Sequence, residues 1–324
     1  LIQVMEEKYD VIKGILHPVT YDSSPQLPAD ERLAQYATVL DYVLSDEEIT
    51  KRYNDQVLAL AKAYALVASR PEAARIRDDV RLFTDVRTAA LKILDPDAGG
   101  TRQGSGNIDS VLAQLVNESV TADQVVDVYQ FAGMERPELS LLSDEFLDSI
   151  GKSGKPNLQL GLLRRLLTDQ IHTMGRTNLV QSRKFSQMLA DAVKRYTNRS
   201  LTTAEIIAEL VALAKEMREN QKRAEELGLS DAEVALYDAV IQNDSAIMQM
   251  GDEVLKTIAR ELVETIRRSA TIDWMQKESV RARMRSRIKR LLAKYKYPPD
   301  KQEAAVKLII EQAEHLADAE HSEE

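Results

Sequence analysis

Hydrophobic positions recur at steps of three and four residues along most of the chain, as at Ile206, Leu210, Leu213 and Met217. This spacing is typical of an amphipathic α-helix that buries one face. The best candidate for a β-strand, residues 125–129, is short and is equally consistent with one buried helical turn. The pattern therefore predicts an all-α fold, a multi-helix, bundle-like assembly in two or three helical subdomains with little or no β-strand.

Four predicted helix starts carry the capping-box pattern, in which a Ser, Thr or Asp precedes a Glu by three residues. In this pattern the two side chains accept hydrogen bonds from backbone amides that have no partner within the helix. The four pairs are Ser45 with Glu48, Thr202 with Glu205, Ser230 with Glu233, and Asp300 with Glu303.

Two stretches rich in glycine, serine or proline interrupt the helical pattern at residues 95–107 and 151–157. The first is predicted to be a flexible loop, and the second a shorter linker of the same kind. The resulting division is an N-terminal helical subdomain 1–94, the loop 95–107, a short helical segment 108–150, the linker 151–157, a C-terminal helical subdomain 158–319 and an acidic tail 320–324.

Composition excludes several classes of protein. The chain has 324 residues, a net charge of -9 and no cysteine, which excludes disulfides, zinc–thiolate sites, iron–sulfur clusters and thiol nucleophiles. No apolar run approaches the ~18–20 residues of a membrane span, and the first residues include acids that a signal peptide lacks. Because the helical pattern is already present at Leu1, we expect the chain to be part of a larger protein.

Charge is distributed unevenly along the chain. Residues 1–150 carry 14 basic and 26 acidic side chains, whereas residues 151–324 carry 29 basic and 26 acidic ones. The densest cationic segment is 277–296, with nine basic residues and one acid. Its apolar residues follow a helical period and are Val280, Met284, Ile288, Leu291, Leu292 and Tyr295. The segment is therefore predicted to be a helix with one apolar seam and cationic outer faces.

Three interpretations of this basic helix are open. Its cations could contact duplex DNA phosphates, an acidic surface of a partner protein, or the acidic helix after Asp300, because Tyr297-Pro298-Pro299 would fold the two helices together. The first candidate contacts are spaced four residues apart on one face: Arg281, Arg285 and Lys289. The wider candidate set adds Arg283, Arg287, Arg290, Lys294 and Trp274. Aromatic residues for base stacking are scarce here, and Trp274 is interpreted as a core or interface anchor.

No motif for catalysis is found in the sequence. Gly151-Lys152-Ser153 ends like a phosphate-binding P-loop, but the first glycine of that motif would fall at Phe146. No two of the four histidines have the spacing that aligns metal ligands on one helix face, and no Gly-x-Ser-x-Gly elbow is present. Carboxylates are abundant, yet nothing singles out a pair for acid–base chemistry. The sequence therefore assigns no catalytic, cofactor-binding or metal-binding residue.

Eight short segments, spread over nearly the whole chain, carry a resemblance to one known family. They are residues 76–80, 136–147, 198–201, 210–216, 250–253, the motif Ile272-Asp273-Trp274, the basic residues 281–290, and the motif Tyr297-Pro298-Pro299-Asp300-Lys301-Gln302. Together they resemble the C-terminal region of the restriction (R) subunit of type I restriction-modification enzymes.

The resemblance implies a parent subunit that cuts DNA after ATP-driven translocation, in which a nuclease domain and two helicase-type motor lobes precede a helical C-terminal part. That part would pack on the motor domains and dock the subunit onto the modification (methyltransferase) and specificity subunits, in the cytoplasm and without a membrane. The parent complex is expected to use ATP and Mg²⁺. Because this chain carries no nuclease, Walker or helicase motif, we expect a docking and coupling fragment that is inactive alone. The alternative is a duplex-DNA-binding module acting through the basic helix 277–296.

Overall fold

The computed structural model describes residues 1–94, 132, 134, 143–150, 154–269 and 278–322. In these ranges all the longer regular elements are α-helices and no strand occurs, which confirms the predicted all-α fold class. The helices are α1 (Ile2–Ile15), α2 (Ala29–Val43), α3 (Glu47–Val67), α4 (Pro71–Arg75), α5 (Arg77–Leu94), α6 (Asp144–Ser149), α7 (Pro156–Thr177), α8 (Leu179–Thr197), α9 (Thr203–Gln221), α10 (Arg223–Leu227), α11 (Asp231–Val240), α12 (Asp244–Met250), α13 (Asp252–Ser269), α14 (Glu278–Lys294) and α15 (Gln302–Ser322).

Three sequence predictions fall outside the described residues. They concern the loop 95–107, the short run 125–129 and Trp274. Most of the segment 108–150 and the first three residues of the linker 151–157 also lie outside them. A 3₁₀ turn at Pro299–Lys301 joins the loop after α14 to α15.

The chain forms two compact units. Unit 1 contains Leu1–Leu166 and Val193–Val211, and unit 2 contains Leu167–Ala192 and Ala212–Glu324. The division falls within α7, α8 and α9, so each of these helices contributes residues to both units.

The core of unit 1 is built around α3. Helices α1 and α5 pack on α3, and α2 packs on α5. Met5, Ile12, Tyr53, Leu60 and Phe83 are completely buried in this unit. Burying each such side chain stabilises the fold by ~1.5–3 kcal/mol, so the apolar faces of these helices supply most of the driving force for packing. The Tyr53 hydroxyl donates to the Phe83 carbonyl at 3.1 Å, which satisfies the one polar atom of its side chain.

The start of α7 is held in unit 1 by two close contacts. The Asp41 carboxylate accepts a hydrogen bond from the Leu158 amide at 2.9 Å, and so satisfies a free donor in the first turn of α7. At Gly161 a Cβ atom would lie 2.8 Å from Cγ2 of Ile93 on α5. The close approach of α5 and α7 therefore depends on glycine at this position.

The core of unit 2 is built around α11 and α13. Helix α11 packs on α13 and α15, and α14 packs on both α13 and α15. Leu236, Ile258, Leu262, Ile288 and Ile309 are completely buried there. In the loop between α14 and α15, Tyr297 is buried and donates from its hydroxyl to the Val240 carbonyl at 2.8 Å. This bond attaches the loop to the end of α11.

The predicted capping boxes have mixed outcomes. Two of the four are confirmed, at Thr202 with Glu205 before α9 and at Ser230 with Glu233 before α11. The prediction at Ser45 is wrong by one residue: Asp46 is the cap of α3, and its carboxylate accepts from two backbone amides. The Ser45 hydroxyl instead donates to the Tyr42 carbonyl, because this side chain lies at the end of α2.

The pair Asp300 and Glu303 takes part in longer-range contacts. The Asp300 carboxylate accepts hydrogen bonds from Asn243 at 3.3 Å and from the Ser245 hydroxyl at 2.8 Å. Glu303 forms an ion pair with Lys289 on α14. These contacts join the start of α15 to α12 and α14 within unit 2.

Candidate nucleic-acid or partner interface

The predicted basic helix is present as α14, and its apolar residues form the predicted seam. Met284, Ile288, Leu291 and Leu292 are buried, with at most 8% of any of these side chains exposed. Val280 and Tyr295 are half-buried and pack against the same core. Because the seam is buried against α13 and α15, the arginines and lysines lie on the remaining faces of the helix.

The face of α14 toward α15 forms ion pairs with that acidic helix. Arg281 pairs with Glu314 at 2.5 Å, and Lys289 pairs with Glu303 at 2.5 Å. Two of the three residues that the sequence places on one cationic face thus have partners inside unit 2. This arrangement supports the interpretation in which the acidic helix after Asp300 balances the charge of α14.

The face of α14 toward α13 begins with a similar contact. The Glu261 carboxylate is 2.9 Å from Nζ of Lys294 and accepts a 2.5 Å hydrogen bond from the Tyr295 hydroxyl. The hydrogen bond from Tyr295 and, to a smaller extent, that from Lys294 hold the pKa of the Glu261 carboxyl below its ordinary value. Glu261 is therefore charged at neutral pH and offsets one cation at this end of the helix pair.

Further along α13 and α14, the residues that face each other are mostly basic. Thr265 and Arg268 on α13 and Arg287 and Arg290 on α14 line an open cleft of about 290 Å³. Arg268 forms a 2.9 Å ion pair with Glu264, whose carboxylate is exposed. Arg290 is exposed and has no ion pair with any residue that the structure describes.

Other candidate residues lie outside this cleft. Arg283 and Arg285 are exposed on α14 and, like Arg290, make no ion pair with a described residue. Arg287, which does line the cleft, is exposed and has an interaction partner. Trp274, the remaining candidate, lies in the segment 270–277 that the structure does not describe.

Thr265 and Arg268 are not among the residues that the sequence singles out. Their signal is the spacing of Glu261, Thr265 and Arg268 at four and three residues, which places them on one side of α13. The spacing alone does not identify a site, because a helix with mixed charges on one side is typical of any solvated surface. The site becomes recognisable only when α14 packs beside α13.

The described residues include no candidate metal centre and no candidate membrane span. In the ranges that the structure covers, no group of three or more His, Asp or Glu side chains is placed to hold a metal ion. Within the same ranges, no helix is both long enough and apolar enough to cross a membrane. The described part of α14 combines charged faces with a buried apolar seam.

Comparison with known proteins agrees with this description and gives the family. Residues 1–319 match the family described as type I restriction enzyme HindI endonuclease subunit-like, C-terminal. The chain therefore belongs to this family, which comprises the C-terminal regions of endonuclease subunits, and the resemblance seen in the sequence is confirmed.

Two relatives extend the comparison. The type I restriction enzyme HindI endonuclease subunit of Haemophilus influenzae is 38% identical over 257 residues, which cover 79% of this chain and 24% of that protein. The putative type I restriction enzyme MjaIXP endonuclease subunit of Methanocaldococcus jannaschii is 29% identical over 297 residues, which cover 91% of this chain and 28% of that protein. The chain thus spans about a quarter of the length of these relatives. No solved structure matches the chain.

Proposed function

We propose that the chain is a helical docking and coupling module of a type I restriction endonuclease subunit. It would join the motor domains of that subunit to the modification and specificity subunits, while ATP-driven translocation and DNA cleavage reside in other parts of the subunit. The observation that carries this proposal is the family match over residues 1–319, to a C-terminal region that makes up about a quarter of each relative. The absence of a P-loop in the sequence is consistent with an associative role.

An exposed apolar patch on unit 2 supports a docking role. Ile247 and Met248 on α12 and Val254 on α13 are 50%, 83% and 37% exposed. Helices α12 and α13 pack together, so these side chains belong to neighbouring elements. Exposed apolar side chains that are surrounded by polar residues are typical of protein–protein contacts. We infer that this patch contributes to docking.

Retention by the assembled modification and specificity subunits tests this proposal. The full chain should be retained on the immobilised complex, and the variant Met248→Glu should reduce retention because it places a charge in the apolar contact. Leu66→Glu is the matched control, since Leu66 is 69% exposed on α3 of unit 1. Point substitutions are preferable to truncation near residue 151, because unit 1 contains residues from both sides of that position.

The outcomes of this experiment separate the general proposal from the particular surface. If the unmodified chain is not retained, the docking function is wrong. If the chain is retained and Met248→Glu has no effect, docking stands but uses another surface. Equal loss in Met248→Glu and Leu66→Glu would contradict a specific role for α12.

Binding to duplex DNA is the second candidate function. The observation that favours it is the exposure of Arg283, Arg285 and Arg290 on α14, none of which forms an ion pair with a described residue. Cations that are not neutralised within the protein attract DNA phosphates and release bound counterions. Binding of a labelled duplex should then weaken steeply with salt, and its absence at low salt would overturn this candidate.

A further inference from the structure

The cleft between α13 and α14 is formed by two helices that run in opposite directions. At one end Glu261 contacts Lys294 at 2.9 Å, and at the other end Arg268 shares the cleft with Arg287. Residue numbers therefore rise along α13 while they fall along α14. Thr265 and Arg290 lie between these two ends and complete the lining. The cleft is thus a product of helix packing within unit 2.

The lining of the cleft is rich in hydrogen-bond donors. Three of its four residues are arginines, and each guanidinium has five N–H donors and no acceptor. Arg268 already bonds to Glu264 and Arg287 already has an interaction partner, so Arg290 supplies the donors that no described residue uses. The Thr265 hydroxyl is a further potential donor and is half-buried on α13. This group of side chains is chemically suited to an oxyanion held by several hydrogen bonds.

Geometry favours phosphate groups over carboxylates as the bound oxyanions. The planar fork of arginine binds two oxygens of a phosphate or of a carboxylate at once, so the preference for phosphate rests on the spacing of the arginines along α14. Arg283, Arg287 and Arg290 follow one another at four and three residues along α14, a length of about 10 Å at 1.5 Å per residue. That length is enough for the row of arginines to reach more than one phosphate of a DNA strand.

The surroundings of the cleft argue against a protein partner at this position. Protein–protein interfaces are centred on buried apolar or aromatic anchors. Among the described residues, none of the exposed large hydrophobic side chains lies on α14, and those of α12 and the start of α13 belong to the separate patch at Met248. A row of arginines without an apolar centre is typical of a surface that contacts the phosphate backbone.

We propose that Arg268, Arg287, Arg290 and Thr265 bind backbone phosphates of duplex DNA, with Arg287 and Arg290 on neighbouring phosphates, and that Arg283 extends the contact along the same strand. The proposal deepens the DNA-binding candidate and rests on it. The contact is independent of base sequence, because it is made to phosphate oxygens. It positions DNA along α14 on the side facing α13, whereas Arg281 and Lys289 on the other side are held by α15.

Fluorescence anisotropy of a labelled 24-base-pair duplex with the full chain tests this site. The double variant Arg287→Gln/Arg290→Gln should weaken binding at low salt roughly tenfold or more, because two charge-assisted contacts are lost. The salt dependence should also change, with a slope of log K against log salt that is smaller by about 1.8, since each phosphate contact contributes about 0.9. Lys51→Gln/Arg52→Gln is the matched control, since it removes two exposed cations from α3 of unit 1, outside the proposed binding surface.

A conservative variant separates charge from geometry. Arg290→Lys keeps the positive charge but loses the fork, so the salt slope should be preserved while affinity falls several-fold. Since Arg287 and Arg290 are exposed, these variants should fold normally, and unchanged thermal melting of the helical circular dichroism signal verifies this.

Each result has a distinct meaning. Loss of binding in Arg287→Gln/Arg290→Gln with little change in Lys51→Gln/Arg52→Gln supports the cleft. Equal loss in both double variants overturns the cleft while the DNA-binding candidate stands, because positive charge anywhere on the chain would then suffice. Without salt-dependent binding by the unmodified chain, both proposals are wrong. If Arg287→Gln/Arg290→Gln binds DNA normally but loses the modification and specificity subunits, the cleft binds an acidic protein surface and the phosphate assignment is overturned.

Discussion

Asp238 is completely buried on α11, and its carboxylate accepts two hydrogen bonds from the guanidinium of Arg223, at 2.8 and 3.1 Å. Two neutral side chains, Asn178 and Gln181, donate to the same carboxylate at 2.7 and 3.0 Å. All four residues belong to unit 2. A buried carboxylate is tolerated only when such partners replace its lost hydration, so Asp238 fixes the positions of α8, α10 and α11.

Replacing Asp238 should therefore destabilise the chain strongly. Asp238→Ala is expected to lower the free energy of unfolding by ~3–5 kcal/mol, because it leaves buried donors without an acceptor. Urea unfolding followed by circular dichroism measures this loss. The control Asp55→Ala removes an exposed carboxylate of α3 and should change stability by less than about 0.5 kcal/mol. A similar small effect at Asp238 would show that the network contributes little.

Tyr297 should give stability a measurable pH dependence in the alkaline range. Burial raises the pKa of its phenol to about 12, whereas in the unfolded chain the value is about 10. As pH rises from about 10, the unfolded chain loses this proton first, so the contribution of Tyr297 is complete below pH 10 and is lost toward pH 12.

The variant Tyr297→Phe isolates this contribution. At neutral pH it should cost about 1 kcal/mol, since the Val240 carbonyl loses its 2.8 Å hydrogen bond. Denaturant unfolding of both proteins should then show a stability difference that falls from pH 10 and reverses in sign by pH 12, because a rise of the phenol pKa from about 10 to about 12 amounts to about 2.7 kcal/mol. A difference that stays constant over this range would contradict the assignment, because the other tyrosines are the same in both proteins.

Gly161 and Gly14 should respond in opposite ways to alanine. A Cβ at Gly161 would lie 2.8 Å from Ile93, so Gly161→Ala is expected to destabilise by ~1–2 kcal/mol despite the better helix propensity of alanine. Gly14 on α1 has no atom within 4 Å of that position, and Gly14→Ala should stabilise by ~0.5–1 kcal/mol. Thermal melting of the two variants compares them directly. A stabilising Gly161→Ala would mean that α5 and α7 separate easily.

Lys296 ends α14 in a left-handed backbone conformation. Its φ is 54°, and the Tyr297 amide bonds back to the Leu292 carbonyl at 2.9 Å, as in a Schellman motif. Lys296→Gly should raise stability by ~0.5–1 kcal/mol, because relief of the steric cost exceeds the entropy that glycine loses on folding. Gly228, with φ of 64°, is the reciprocal test, since Gly228→Lys should destabilise by a similar amount. Thermal melting measures both changes.

The chain alone should neither hydrolyse ATP nor cut DNA. Its sequence has no P-loop to surround the phosphates of ATP, and no nuclease motif. A phosphate-release assay with ATP, Mg²⁺ and duplex DNA should give the rate of the buffer, and plasmid DNA should remain intact on a gel. DNA-stimulated ATP hydrolysis by the pure chain would contradict this prediction.

Local features of the fold could be predicted well. The seam of Met284, Ile288, Leu291 and Leu292 follows from spacing alone, because a helix repeats every 3.6 residues. The caps at Thr202 and Ser230 follow for a similar reason, since each depends on residues three positions apart. Spacing places the cap of α3 at Ser45 instead of Asp46, because two adjacent residues can both accept hydrogen bonds from a helix start.

The candidate site could be predicted only in part. Spacing favours Arg281, Arg285 and Lys289 as one face, but it does not show that Glu314 and Glu303 lie opposite the first and last of these. Spacing also does not predict that Thr265 and Arg268 lie beside Arg287 and Arg290, because the two pairs belong to separate helices.

By itself, the sequence determined the helical fold class, the apolar seam of the basic helix and the likeness to the C-terminal region of the R subunit, because each depends on residue types at short spacing. Only the tertiary structure decided which cations are paired within the protein and which line the cleft between α13 and α14. It also decided that Asp238 is buried among its donors and that glycine is needed at position 161. The physical reason is that ion pairs and close contacts join residues far apart in the chain, and helix packing alone brings those residues together.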